Sequence, residues 1–389
     1  MITAASCPVC GGTDINQFLR RAKMPVHQNL VMTSHQAALQ VPRGDLELTI
    51  CRDCGFLFNK AYEPAKLAYG ADYDNIQTHS PYFSRYLSEL ADHLLKEKGV
   101  KNRHIVEVGC GKGEFLRLLV KDPSFGNSGI GFDPSYVGPE SDLEGRLRFD
   151  HRYYNEECAD TAAEVVVCRH VIEHVPQPLE LLRAVRRALR RASKPRIYFE
   201  TPCVEWILKN QVIWDFFYEH CSLFSSSSLR TAFERAGFKV LEVRHVFGGQ
   251  YLWLEAELSD KPVEAVRNSG KIPQLGKLFA QKEDQLRNKW LARISHLAKT
   301  GKVAVWGAGA KGTTFVHLID PENTLIDCVV DLNPNKQGKF VPGTGHQIVG
   351  VDSLFARGVN TAILMNPNYR AENESILEAT GLNVRLIDK

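Results

Sequence analysis

Val106-Glu107-Val108-Gly109-Cys110-Gly111-Lys112-Gly113-Glu114-Phe115-Leu116 reads as the end of a strand, a glycine-rich turn and the start of a helix. The apolar run Ile105–Val108 is short enough for a buried strand, and Glu114–Val120 opens a helix. Glycines in such a turn let the backbone pass close to a ligand and let the helix begin against the sheet. About 20 residues on, Asp133 ends the next predicted strand, Ser128–Phe132. A carboxylate there can accept both hydroxyls of a ribose. The turn has the form GxGxG, which taken alone also suits a dinucleotide.

An α/β alternation extends outward from this turn. Glu164–Cys168 and Arg196–Glu200 are predicted strands, separated by an amphipathic helix over Leu179–Arg190 with apolar residues at 179, 181, 182, 185 and 189. Leu229–Ala236 is a helix stopped by Gly237, and Val240–Val243 with Tyr251–Leu258 form a strand pair near the sheet edge. Upstream, a helix is expected from about Tyr82 to Lys98. Residues 261–299 change to a polar pattern with apolar positions at 275, 279, 286, 290, 294 and 297, as one connecting helix would show. A second α/β unit then begins, with strands Val303–Trp306, Leu325–Val330 and Ala362–Met365. Strands alternating with helices predict parallel, doubly wound sheets. The expected division is 1–80, 81–260, 261–299 and 300–389.

The chain has 389 residues, 44% hydrophobic and 24% charged, with a net charge of +3 on 48 basic and 45 acidic residues. That balance argues against nucleic-acid and membrane binding. The first 20 residues carry CPVCGGTD and no apolar core of a signal peptide, and no apolar run approaches the roughly 18–20 residues of a membrane span. Six of the ten cysteines are scattered singly, unlike a secreted disulfide framework, so a cytoplasmic location is expected.

The other four cysteines form two knuckles, Cys7-Pro-Val-Cys10 and Cys51-Arg-Asp-Cys54. Thiolates three positions apart can turn onto one tetrahedral ion, and four of them close a structural zinc site. Gly11, Gly12 and Gly55 supply permissive backbone after each pair. A redox pair or unrelated buried cysteines explain the paired spacing less well. A nucleic-acid-binding ribbon would need clustered Lys and Arg, which the flanks lack.

Asp215-Phe216-Phe217-Tyr218-Glu219-His220-Cys221-Ser222 sets an acid and an imidazole among aromatics, between a predicted strand and helix. His220 is the natural general base there, and Glu219 can orient it or act itself if desolvated. Glu173 and His174, in Cys168-Arg169-His170-Val171-Ile172-Glu173-His174-Val175, read as a helix-start pair serving packing and capping. A second glycine turn, Gly307-Ala308-Gly309-Ala310-Lys311-Gly312, has the form GxGxxG with Asp331 after the next strand. It suggests NAD only as a lone fingerprint; packing the domain, with Lys311 facing phosphates, is the preferred reading. Lys336 and Lys339 read equally well as a solvated surface pair.

EVGCGKGEF, GFDPS and CRHVIEHVPQP together resemble the class I methyltransferases over about residues 95–260. The resemblance implies S-adenosylmethionine held by Gly109, Gly111 and Asp133, with Glu107 beside the methionine end and His170 near the sulfonium. With the zinc knuckles ahead and VWGAGAKGTTF, DLNPNKQGKFVPGTGHQIV and MNPNYRAE behind, nearly the whole chain resembles the sugar-nucleotide C-methyltransferases. The implied architecture is a class I methyltransferase doubly wound sheet flanked by a small four-cysteine zinc module and a C-terminal Rossmann-like α/β domain. The implied substrate is a nucleoside-diphosphate keto-deoxysugar. A base removes the proton beside the keto group, and the enolate carbon takes the methyl. His220 is the implied base, Glu219 its partner, and Tyr73 a pocket hydroxyl near the enolate.

The chain departs from that family where Tyr-His-Glu-His becomes Phe217-Tyr218-Glu219-His220, His-Gly-Gly-Ser becomes Phe247-Gly248-Gly249-Gln250, and Trp-Asn becomes Met365-Asn366. These changes fall on the acceptor side. They leave open an O- or N-methyltransferase of another polar metabolite. An NAD-binding oxidoreductase and a scaffold with a degenerate core are the remaining readings, the last opposed by intact Gly109, Gly111, Asp133 and His220. A monomer or homodimer is expected.

Overall fold

The computed structural model describes residues 6–70, 72–259 and 266–388. The expected boundary at 260–261 lies outside the described residues. Three sheets carry the fold. The first begins with β1 (Ile15–Pro25), β2 (Arg43–Cys51) and β3 (Leu57–Asn59), all antiparallel. The two cysteine knuckles sit at its end: Ile15 pairs with Cys51, and Cys51 N–H donates to Phe56 O.

The second sheet is built from β4 (His104–Val108), β5 (Ser128–Phe132), β6 (Ser141–Asp142), β7 (Leu147–Asp150), β8 (Val165–Arg169) and β9 (Arg196–Pro202). The chain then leaves it for β10 (Ser222–Leu223), which pairs with β3 and becomes the fourth strand of the first sheet. It returns as β11 (Phe238–Val246) and β12 (Tyr251–Leu258). The order is β11-β12-β9-β8-β4-β5-β7-β6. β9, β8, β4, β5 and β7 are parallel, while β12 inserts antiparallel between β9 and β11. Ile105, Val106 and Val108 are buried, as a strand covered by helices on both faces requires. β4 lies between β5 and β8, so successive connections run off in opposite directions and open a crevice at its carboxyl end.

The third sheet repeats the plan with β13 (Lys302–Trp306), β14 (Ile326–Val330), β15 (Ile348–Val349), β16 (Val359–Leu364) and β17 (Arg385–Ile387), all parallel in the order β15-β14-β13-β16-β17. Its switch point falls at β13, between β14 and β16. The connecting helix spans Ile272–Leu297, inside the expected 261–299. Phe279 meets Phe216, Trp290 meets Trp214 and Phe315, and Glu283 pairs with Arg21 of β1, so this helix joins all three units. The N-terminal unit is less separate than the division at residue 80 implies. It takes β10 from the middle of the chain, and its segment 69–80 reaches into the crevices described below.

Arg21 on β1 is buried where these units meet. Its Nε donates to Glu283 Oε1 on the connecting helix (2.8 Å), Nη1 to Phe216 O (2.9 Å) and Nη2 to Ile213 O (2.7 Å). Removing one partner of a buried pair strands the other charge. Arg21→Ala is therefore expected to destabilise the chain by about 3 kcal/mol or more in denaturant unfolding. Replacing Glu283 as well is expected to recover only part of that, because two carbonyls stay unpaired. A loss under about 1 kcal/mol would show that the clamp is dispensable.

Candidate active site

The crevice at the end of β4 is lined by Glu107, Gly109, Gly111, Asp133, Arg169 and His170. The structure thus gathers all five residues implied for the cofactor. Gly109 and Gly111 hold φ of +67° and +55°, a region disfavoured for other residues. A Cβ on Gly109 would strike Val171 at 2.1 Å, whereas one on Gly111 would project into open space, where a ligand can approach. Asp133 follows β5. Its Oδ2 accepts from Gly111 N (2.8 Å), and its Oδ1 from Ser135 N (2.7 Å) and Oγ (2.6 Å). An ionised carboxylate has about four acceptor sites, so capacity remains for a diol.

Glu107 is 2% exposed and accepts from Leu116 N. Burial pushes its carboxyl up to about 8, against the opposing pull of Arg169. Arg169 donates from Nε to Glu200 Oε2 (2.7 Å) and lies over Phe115, while its buried Nη2 has no partner. An adenosylmethionine carries an ammonium and a carboxylate at one end and a ribose diol toward the other. A buried acid, an orphaned guanidinium nitrogen and Asp133 are the complementary set, so the crevice fits that cofactor.

A second cavity adjoins the first. Tyr73, Asn75, Ile76, Gln77, His170 and His174 line both and form the wall between them. His170 has φ of +55°, a strained backbone for this residue type, and its N–H donates to Glu200 O. His220 lines the second cavity, against Phe217 (ring centroids 4.1 Å apart) and His174 (4.8 Å). Burial above all, then the charges of His174, His170 and Lys311, holds His220 well below the usual imidazole range. Tyr73 accepts from Asn29 Nδ2, and burial, then Glu219, keeps its phenol well above its ordinary range.

Glu219 is not placed as its partner. It is fully buried, lines neither cavity, and faces His27 Nδ1 at 3.4 Å; no hydrogen bond or ion pair joins it to His220 among the described residues. The Glu173–His174 pair divides. Glu173 accepts from Thr201 Oγ1 (3.0 Å) beside His170, and it also lines the second cavity, where its Oε1 has no hydrogen-bond partner. His174 instead faces both cavities, with Tyr69 hydroxyl at 3.0 Å from its Nδ1. Its position four residues after His170, one turn on, was the available signal.

The C-terminal sheet closes the second cavity with Gly307, Gly309, Lys311, Asp331 and Lys336. Lys311 Nζ is held by Asp215 Oδ2 (2.7 Å) and Gln250 Oε1 (3.2 Å). Gln250 and Asn366 exchange reciprocal amide hydrogen bonds, and both line the cavity with Phe217 and Met365. The departures from the sugar-enzyme pattern therefore meet in one place. Lys336 is 4% exposed and donates to Ala308 O, which excludes a solvated surface role for it.

Away from both cavities, Cys7, Cys10, Cys51 and Cys54 converge in a buried cluster. Cys7–Cys54 and Cys10–Cys51 sulfurs lie 3.7 and 3.5 Å apart, too far for disulfides. Ligands about 2.3 Å from a tetrahedral ion sit about 3.8 Å from one another, so the set fits a metal of that geometry.

A doubly wound sheet with a glycine turn at its switch point and an acid after the next strand defines a fold that holds a ribose-bearing cofactor, and the family match assigns it to the class I S-adenosylmethionine-dependent methyltransferases. Residues 49–243, half of the chain, match the methyltransferase domain family, and residues 270–381 match the C-methyltransferase C-terminal domain. The chain belongs to this methyltransferase family and carries the C-terminal domain of C-methyltransferases. It is 24% identical to the C-methyltransferase NovU of Streptomyces niveus, over 94% of this chain and 90% of that one. A ubiquinone biosynthesis O-methyltransferase of Escherichia coli O157:H7 is 26% identical over 31% of this chain and 50% of its own. Among solved structures, a SAM-dependent methyltransferase from Aquifex aeolicus gives a TM-score of 0.35 at 17% identity, covering 47% of this chain and 95% of that one. Among the described residues, no helix is long and apolar enough to cross a membrane.

With burial pushing its carboxyl up to about 8, Glu107 is expected to gain the charge that would attract a ligand ammonium as pH rises through that value. Affinity for S-adenosylhomocysteine is expected to rise about tenfold as pH climbs through that value. Calorimetric titration should show this slope in the native chain and a flat profile in Glu107→Gln. A slope surviving in the variant would assign it to another group.

Proposed function

We propose that this methyltransferase acts on the carbon beside a keto group in a nucleotide-linked deoxysugar. The observation that supports this most is His220: a half-buried imidazole held well below its usual range, in the second cavity, beside the wall shared with the cofactor crevice. A neutral imidazole can take a proton from an acidic C–H, and its depressed pKa keeps it free to do so well below neutral pH. Tyr73 already accepts from Asn29, so its own proton is left to donate to the enolate oxygen. Its raised pKa keeps that proton in place. Phe217 packs on the imidazole and limits its movement.

Glu107, Gly109, Gly111, Asp133, Arg169 and His170 hold the cofactor in this reading, and S-adenosylmethionine when bound supplies an electrophilic methyl already activated by its sulfonium. The chain's contribution is then alignment and proton removal. Lys311 and Lys336 lie on the side where the acceptor's phosphates would sit. A second reading, transfer to oxygen or nitrogen of another polar metabolite, is favoured by Phe217, Gln250 and Met365 on the acceptor wall. Zinc is the proposed occupant of the cysteine cluster, with a structural role because four thiolates close the site.

His220→Ala is expected to lower turnover by about 10²-fold or more while S-adenosylhomocysteine affinity stays unchanged. In deuterated solvent, the native chain should wash label into the C–H beside the keto group of its substrate, and the variant should not. The acid limb of kcat/KM should lie below the ordinary histidine value of 6.5, since protonated His220 cannot act as base. Methyl gain with no exchangeable C–H would move the assignment to oxygen or nitrogen. Metal analysis should find one zinc per chain, and Cys54→Ser should lower both zinc content and the melting temperature. A fully folded, metal-free native chain would rule the zinc assignment out.

A further inference from the structure

Glu173, His174 and His220 converge on the second cavity, with one nitrogen or carboxylate oxygen from each within 4.8 Å of the others. They come from two segments: Glu173 and His174 follow β8, and His220 precedes β10. Glu173 is 1% exposed. Its Oε2 accepts from Thr201 Oγ1 (3.0 Å), and its Oε1 is buried with no hydrogen-bond partner. His170 Nδ1 stands 3.3 Å from that oxygen without making a hydrogen bond to it. A buried carboxylate oxygen without a donor is costly, and a bound cation offsets that cost.

The two imidazoles supply nitrogens suited to the same cation. The Tyr69 hydroxyl lies 3.0 Å from His174 Nδ1, which fixes the ring and leaves Nε2 for an ion. A hydrogen bond to the other ring nitrogen is the usual support of a metal-binding histidine, as the Thr201 bond is of a metal-binding carboxylate. Among the described residues, no hydrogen bond engages a ring nitrogen of His220. The rings of His174 and His220 stand perpendicular with centroids 4.8 Å apart. An ion about 2.1 Å from each ligand holds the ligands about 3.4 Å apart, so side-chain shifts of roughly an ångström close the set. Two imidazoles and one carboxylate suit zinc and the neighbouring divalent transition ions, with a further position open to the cavity. Lys311 shares this cavity, but its charge is met by Asp215 at 2.7 Å.

We propose that Glu173, His174 and His220 form a site for an exchangeable divalent ion of the zinc class, and that this ion inhibits the enzyme by occupying the His220 nitrogen that would take the proton. A coordinated nitrogen has no lone pair left for a base. Three protein ligands hold an ion less firmly than four thiolates, so this ion leaves on dialysis while the one in the cysteine cluster stays. The inhibitory half rests on the role of His220 given above; the site itself does not.

The test is cobalt titration of the full chain, dialysed until it holds zinc in the cysteine cluster alone. Co²⁺ is expected to give visible d–d absorption without the near-ultraviolet band of a thiolate ligand. Glu173→Gln and His174→Asn should each weaken that binding about tenfold or more. Melting temperatures are measured alongside, and His174→Asn carries the test if Glu173→Gln fails to fold. Diethyl pyrocarbonate should modify His220 in the native chain, read by peptide mass, and Co²⁺ should slow that modification about tenfold. A thiolate band, the absence of visible absorption, or binding undiminished in both variants overturns the site. Modification of His220 at an unchanged rate with cobalt bound overturns the inhibition. Full turnover in His220→Ala removes the base reading, and the cobalt spectrum still decides the site.

Discussion

Arg21 spreads its guanidinium between Glu283 and the carbonyls of Ile213 and Phe216, in a place closed to water. The loop that carries His220 depends on that grip. Its start is held by Arg21 from β1 and by Lys311 of the C-terminal domain through Asp215. Its end is held as β10 against β3. Between them Tyr218 is fully buried, its hydroxyl accepting from Glu63 N, in a slot that exists because residue 44 is glycine; a Cβ there would enter the ring at 2.2 Å. A buried charge is tolerable when its donors are matched, and here matching it fixes the loop to three units at once.

This arrangement also ties the cysteine cluster to the loop that carries His220. The knuckles set the register of β1 with β2, β2 carries β3, and β3 carries the strand that follows His220. The partition between the cavities is secured in a similar way from the other side. Asp74 accepts from Asn333 and Asn335, and Glu372 accepts from Ser80 and from the Tyr82 backbone. The segment with Tyr73 is thus pinned between the methyltransferase sheet and the C-terminal sheet. Two ligands bound on either side of it would meet at His170, His174 and Tyr73.

The parallel strands were legible because each is a short apolar run between turn residues. β4, β5, β8, β13 and β14 all lie where the sequence puts them, to within a residue or two. β1 was not legible as a strand. It is an edge strand with two register breaks, and Asn16, Gln17, Arg20 and Arg21 interrupt its alternation. The cofactor residues were readable because a glycine turn and the following acid are local features of two adjacent strands. Glu219 and His220, adjacent in sequence, suggested a pair. The chain turns them to different surroundings, one to His27 and one to the cavity.

The sequence by itself determined the element order and the switch-point turns, because each follows from spacing within a few tens of residues, and the resemblance of its motifs to the class I methyltransferases supplied the class of cofactor. Only the tertiary structure decided what lines the second cavity. His174, Lys336, Gln250 and Asn366 acquire their roles from contacts between units far apart in the chain, such as the 116 positions separating Gln250 from Asn366. Periodicity reports which residues are buried, but not which distant partner they are buried against. That is set by how three sheets and one long helix pack, and it is there that the second cavity is made.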